Sequence, residues 1–141
     1  MKLLTTLGLS ASLVLLAGLP VAAHHNGATY FDTSTTIEHS DATVVEYAIV
    51  NPHGRLFFTI VDDEGNEQEW SAELASANNL RRRGLGGEIF KPGDQLVSVT
   101  GNPSRSGANF MRLERAEFAD GTVAAFSGPN RGITPGPGAQ Q

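Results

Sequence analysis

Short runs of alternating apolar and polar residues recur along most of this 141-residue chain. Residues 36–50 are rich in Thr, Val and Ile and alternate in their second half, as a half-buried strand does. Ser40-Asp41 interrupts this run, which predicts a bend or bulge there. Residues 55–61 and 67–72 predict two further strands, joined by an acidic turn in which Gly65 supplies conformational freedom.

A helical signal follows the third predicted strand. Ser76 is a suitable N-cap for a helix over residues 76–83. Arg81-Arg82-Arg83 places positive charge in the last turn, where it complements the helix dipole, and Gly84 is a favourable residue just past the end. The pattern therefore predicts one short helix in the middle of the chain.

The last third of the chain returns to strand patterns. Residues 95–100 predict a fourth strand and residues 108–118 a fifth, and Asp120-Gly121 is a hairpin turn into a sixth over residues 122–126. Residues 127–141 are dominated by Gly, Pro and Gln, so we expect a disordered tail.

The order of these elements predicts the fold. Three strands, one helix and two or three more strands predict an all-β protein with a small α content, an OB-like barrel (the oligonucleotide/oligosaccharide-binding fold) of five to six strands. The short helix lies between strands 3 and 4. The chain is long enough for one domain, which we assign to residues 36–126 after an N-terminal arm over residues 24–35. A generic small β-sandwich is the alternative.

The first 23 residues have the pattern of a cleavable signal peptide. Met1-Lys2 gives a positive start, residues 3–19 are apolar and uncharged, and Pro20 precedes the small residues Val21-Ala22-Ala23. We expect export to the periplasm of a Gram-negative bacterium, and no membrane attachment after cleavage.

Composition narrows the possible chemistry. A net charge of -5 disfavours nucleic acid as a partner, because phosphate backbones repel an acidic chain. The absence of cysteine excludes disulfides, thiolate metal sites and cysteine nucleophiles. Only two methionines are present, which disfavours soft Cu(I) sites.

Histidines at the expected new N-terminus point to metal binding. Cleavage after Ala23 makes His24 the first residue, which then chelates an ion through its α-amine and its own Nδ1. A further imidazole, from His25 or His53, would complete a three-nitrogen histidine brace suited to Cu(II). Cleavage one residue earlier gives Ala23-His24-His25, the amino-terminal copper and nickel motif.

His53 is the second source of an imidazole. It lies at the tip of the turn Asn51-Pro52-His53-Gly54, between the first two predicted strands. We expect Tyr30-Phe31 to pack the extended arm onto the body, and Asp32 to cap a local turn. The hypothesis is a periplasmic protein for Cu(II) storage, delivery or buffering, with His24, His25 and His53 as metal ligands.

Two other classes of function remain open. In the first, the protein is a metal-free binding module that holds a small ligand or a periplasmic partner protein against Trp70, Tyr47 and Phe57. In the second it is an enzyme, but the chain has no serine-hydrolase or zincin motif and no evident nucleophile–base pair, so we assign no catalytic residue. His39 falls inside a strand and is left out of the site.

Several stretches together resemble the DUF6152 family of exported bacterial proteins of unknown function. They are His24-His25, Phe31-Asp32, Asn51-Pro52-His53, Trp70-Ser71-Ala72-Glu73-Leu74, Asn79-Leu80-Arg81-Arg82-Arg83-Gly84, Lys91-Pro92-Gly93-Asp94 and Ala119-Asp120-Gly121. The resemblance implies an exported, compact β-barrel and supplies no activity.

Overall fold

Residues 27–140, the part of the chain that the computed structural model describes, contain seven strands and three short helical segments. In chain order the elements are α1 (Gly27–Tyr30), β1 (Ile37–Ala48), β2 (Arg55–Val61), β3 (Glu67–Glu73), α2 (Ala77–Arg82), β4 (Gln95–Pro103), β5 (Phe110–Phe118), β6 (Val123–Ala125), β7 (Gly132–Thr134) and a 3-10 helix (Pro137–Gln140). No helix among these residues is long and apolar enough to cross a membrane.

The first five strands close into a barrel. Their neighbours run in the order β3-β2-β1-β4-β5, and β3 returns to pair with β5 in parallel, with Ser71 opposite Phe110 and Glu73 opposite Arg112. This closure, with α2 between β3 and β4, confirms the predicted OB-like barrel. Two extra strands, β6 and β7, extend the sheet beyond β5.

β1 is the longest strand, and it contains local irregularities between the parts that pair with β4 and with β2. Its first half pairs with β4 and its second half with β2, both antiparallel. Asp41 adopts a positive φ of 54° between the two halves, a conformation that Asp tolerates better than most residues. The irregularity predicted at Ser40-Asp41 takes the form of this positive φ, without a shift in the β1–β4 register, and a register shift in the β1–β2 pairing lies between Val44 and Glu46.

The barrel interior is filled by the alternate residues that the strand patterns predict. Leu56, Phe58, Leu96 and Met111 are almost completely buried. Each such side chain contributes roughly 1.5–3 kcal/mol of transfer free energy on burial. Buried side chains of α2 and of the loop after it extend this core: Leu80, Leu85 and Phe90.

Strands β4 and β5 approach each other too closely for a side chain at Gly101. A Cβ built there would lie 2.2 Å from the carbonyl oxygen of Arg112. The ladder between these strands is irregular between Thr100 and Gly101, so glycine allows the pairing to continue to Pro103.

The expectation of a disordered tail over residues 127–141 differs from the structure. β7 pairs with β6, placing Ile133 opposite Ala124, and the following residues return to the β5–β6 turn. There, Gly138 N donates a hydrogen bond to Asp120 O at 3.1 Å. Composition favoured disorder because Gly and Pro are common here, but an available sheet edge supplies the backbone partners that this segment needs.

The N-terminal arm is also more structured than expected. The sequence predicts an extended segment, whereas residues 27–30 form one helical turn. Phe31 is buried and bridges Ser104, which confirms that this aromatic packs on the body, but Tyr30 remains 58% exposed. Arg105 holds the turn by donating from its backbone N to Tyr30 O and from its Nε to Ala28 O.

His39 lies against the aromatic residues at one end of the barrel. Its ring centroid is 4.1 Å from that of Trp70 and 6.1 Å from that of Phe58. Its Nε2 is buried and makes no hydrogen bond within the part of the chain that the structure describes. Burial lowers the pKa of His39 from its ordinary value of 6.5, because the charged imidazolium loses hydration there.

We predict that His39 makes the protein less stable in mild acid. The unfolded chain protonates this imidazole near pH 6.5 while the folded chain does so only at lower pH, so the stability present above pH 6.5 is lost as pH falls through the folded pKa. In urea unfolding at pH 7.5 and 5.5, His39→Phe should lose less stability between the two pH values than wild type does. Equal losses of stability in wild type and His39→Phe would contradict the prediction.

Candidate functional site

The turn that carries His53 is fixed to the end of β3. Gly54 N donates to Ala75 O at 3.0 Å, and Leu74 N donates to Gly54 O at 2.9 Å. Gly54 is buried, and a Cβ there would lie 3.0 Å from Ala48 O and 3.1 Å from Leu80 Cδ1. The peptide bond between Asn51 and Pro52 is cis. His53 therefore projects from a closely packed turn.

Within the described residues, two groups lie close to Nδ1 of the His53 imidazole. The carbonyl oxygen of Leu74 lies 3.3 Å away and the Oε1 atom of Glu73 lies 3.6 Å away. Because a carbonyl oxygen only accepts hydrogen bonds, this contact requires the proton on Nδ1. In the neutral ring the lone pair then belongs to Nε2, which is the arrangement typical of a metal-binding histidine.

His53 borders two adjacent clefts. One has a volume of about 310 Å³ and is lined by residues from the arm, β3, α2, β5 and the segment before β7, among them Gly27, Asn79, Arg112 and Arg131. The other, of about 340 Å³, lies between the arm and the start of β5. Gly27, His53 and Glu73 line both clefts, so the first described residue of the arm borders the same space as the turn histidine.

Glu73 lies between two arginines in the sheet. It is opposite Arg55 in the antiparallel β2–β3 pair and opposite Arg112 in the parallel β3–β5 pair. Directly opposed residues on neighbouring strands share one face of the sheet. The Arg55 guanidinium lies over the Phe110 ring, 4.6 Å from its centroid, which is within the range of a cation–π contact.

The described residues contain part of the predicted ligand set. His53 is in the cleft, while His24 and His25 lie outside the described residues. Within residues 27–140, no three or more His, Cys, Asp or Glu side chains are grouped to hold a metal ion. A metal at His53 would therefore need donors from beyond this range in addition to His53 and Glu73.

The sequence was compared with protein families, curated proteins and solved structures. Residues 12–111 match DUF6152, which is described as a family of unknown function. The chain belongs to this family. The match includes His24, His25, His53 and Glu73, and stops before the Ala119-Asp120-Gly121 turn. No curated protein and no solved structure matches the chain.

Sequence reasoning missed several residues of the cleft in this DUF6152 chain. Glu73 directly follows the third predicted strand, Arg112 lies in the fifth, and Arg131 lies in the segment expected to be disordered, so no local pattern assigned them to a site. The alternation along β3 places Glu73 on the face opposite the buried Ala72. Only the β3–β5 pairing brings Arg112 beside it, and that parallel pairing joins residues nearly 40 positions apart.

Other expectations concern residues away from this cleft. Asp32 accepts hydrogen bonds from the Ser34 backbone N and from the Ser34 and Thr35 hydroxyls, which confirms a local turn and lowers the pKa of this carboxyl. Tyr47 donates to Leu85 O at 2.5 Å, and burial raises its pKa. Trp70 packs against the core, and Phe57 is half-buried on β2.

We predict that Gly54→Ala in the DUF6152 chain lowers the free energy of unfolding by about 1–3 kcal/mol, because the new methyl group meets a backbone oxygen and a buried leucine. Urea unfolding measures this change, and NMR of the His53 ring reports any displacement. Gly27→Ala is the matched control: its Cβ would make an ordinary 3.5 Å contact with Arg112 Nη1. Equal losses of stability in both variants would contradict the role of Gly54.

Proposed function

We propose that this protein is exported to the periplasm and there binds one Cu(II) ion between its mature N-terminus and His53, for storage, delivery or buffering. His24 supplies its α-amine and ring nitrogen, and His53 supplies the next imidazole. His25 is an additional ligand, or the principal one if cleavage precedes Ala23. The observation that carries the proposal is that Gly27 and His53 line the same cleft.

The length of the chain supports this arrangement. Gly27 lies three positions after His24, and three extended residues span at most about 11 Å. The covalent chain is therefore short enough to let His24 reach the cleft that Gly27 borders. In the sequence alone, His24 and His53 are 29 positions apart, and nothing required them to be neighbours.

The contacts of His53 also support a metal-binding role. Donation of the Nδ1 proton to Leu74 O holds the ring and places the lone pair on Nε2. The Glu73 carboxylate lies 3.6 Å from the same nitrogen, in the position of the outer carboxylate partner of a metal-bound histidine. Cu(II) is the ion we favour, because the donors are nitrogens and the chain contains no cysteine.

The test is a Cu(II) titration followed by EPR on natively secreted protein whose first residue is established by intact mass. We expect one ion per chain with nitrogen hyperfine structure. His24→Ala and His53→Ala should each weaken binding at least tenfold, equivalent to about 1.4 kcal/mol. Glu73→Gln should weaken it by about 10–100-fold, since it removes an outer partner of the ligand.

Two comparisons make the result specific. His39→Phe removes a histidine outside the cleft and should leave the affinity unchanged. His25→Ala separates the two cleavage points, because binding depends on it most when Ala23 is the first residue. Weak, non-stoichiometric binding by correctly cleaved wild type would reject the copper site and favour a metal-free binding module.

A further inference from the structure

We propose that the 310 Å³ cleft beside His53 also binds a small oxyanion, a carboxylate or a phosphate group, through the guanidinium groups of Arg112 and Arg131. This site goes beyond the copper proposal and does not depend on it. A cleft of this volume is at the lower end of the range for small-molecule sites, so the ligand is a small metabolite-sized anion.

The charges around the two clefts favour an anion. Three arginines, Arg55, Arg112 and Arg131, line them against one carboxylate, that of Glu73. Within the described residues, none of these arginines forms an ion pair, and Glu73 Oε1 lies 3.6 Å from His53 Nδ1. Positive charge is thus concentrated here in a chain whose net charge is -5. Such a concentration attracts anions to a cleft.

Arg112 is positioned by the barrel itself. Its backbone is opposite Glu73 on β3 and Asn102 on β4, so its place is determined by two ladders. Its side chain is exposed, and within residues 27–140 its guanidinium has no hydrogen bond or ion pair to another side chain. The nitrogens of this planar group suit bidentate contact with carboxylate or phosphate oxygens.

Arg131 reaches the cleft because of the extra strands. It directly precedes β7, whose pairing with β6 places Gly132 opposite Ala125. Its Nε donates to Gly128 O at 2.9 Å, which leaves the N–H groups of the two terminal nitrogens to contact a ligand. β6 and β7 lie outside the closed barrel, so closure of the barrel does not require them. Placing Arg131 at the cleft gives these two strands a role.

The polar wall opposite the arginines completes the site. Asn79 on α2 lines the same cleft, and its Oδ1 accepts a hydrogen bond from Arg83 Nε at 2.6 Å. This contact orients the side-chain amide, so that its NH₂ group is the part remaining for a ligand oxygen. Two guanidinium groups and one amide donor therefore line a single small cleft.

The test uses metal-free mature protein at low ionic strength, titrated with inorganic phosphate and, separately, with succinate, and followed by ¹⁵N NMR. We expect saturable shifts at residues that line the cleft. Arg112→Gln and Arg131→Gln should each weaken binding at least tenfold. Arg115→Gln is the charge-matched control: Arg115 lies on the same strand, pairs with Glu117 and does not line either cleft. The affinity of Arg115→Gln for either anion should match that of wild type.

The outcomes distinguish a phosphate-bearing ligand from a carboxylate. They also distinguish failure of the anion site from failure of the copper site. Binding of phosphate alone indicates a phosphate-bearing ligand, binding of succinate alone indicates a carboxylate, and either result supports the site. No saturable binding of either anion up to about 10 mM, or equal weakening by Arg115→Gln, would overturn it. Because His24→Ala should retain anion binding, a failed copper site and a failed anion site give different results.

Discussion

Parallel pairing between β3 and β5 is the constraint on which the remaining structure depends. Without it, β3 would be an exposed edge and the barrel an open sheet with unpaired backbone groups. Closure buries the inner faces of five strands around Phe58 and Met111. It also places Glu73 beside Arg112 on the outer face, so the interaction that completes the core also assembles the polar cleft. Stability and the candidate site thus share one physical origin.

A second constraint connects the β1–β2 turn to the end of the same strand. Gly54 forms hydrogen bonds with the Leu74–Ala75 backbone, and a Cβ at position 54 would make tight contacts with Ala48 O at 3.0 Å and Leu80 Cδ1 at 3.1 Å. The glycine that follows His53 therefore limits movement there, because it permits the turn to pack directly on its neighbours. An imidazole held in this way is preorganised, which lowers the entropic cost of adding a ligand.

Electrostatics connects the two proposed ligands of the cleft. A Cu(II) ion at His53 would lie near guanidinium groups that repel it, and Glu73 offsets only part of that positive charge. An oxyanion bound at Arg112 and Arg131 would reduce the same excess of positive charge. Each ligand would then favour the other, and such coupling is reciprocal by thermodynamic necessity. The arrangement suits a protein that holds a metal together with an anion, although either could bind alone.

Local patterns in the sequence determined the strands, α2, the irregularity at Ser40-Asp41 and, through their order, the OB-like barrel. These features follow from alternation and turn residues within about ten positions of one another, although Ser76 occupies the N-cap position of α2 without a side-chain hydrogen bond. The sequence also singled out His53. Tertiary structure alone decided that Glu73, Arg112 and Arg131 border its cleft, and that the glycine- and proline-rich end adds β7 to the sheet. These outcomes depend on pairings between distant segments, for which a local pattern of side chains contains no signal.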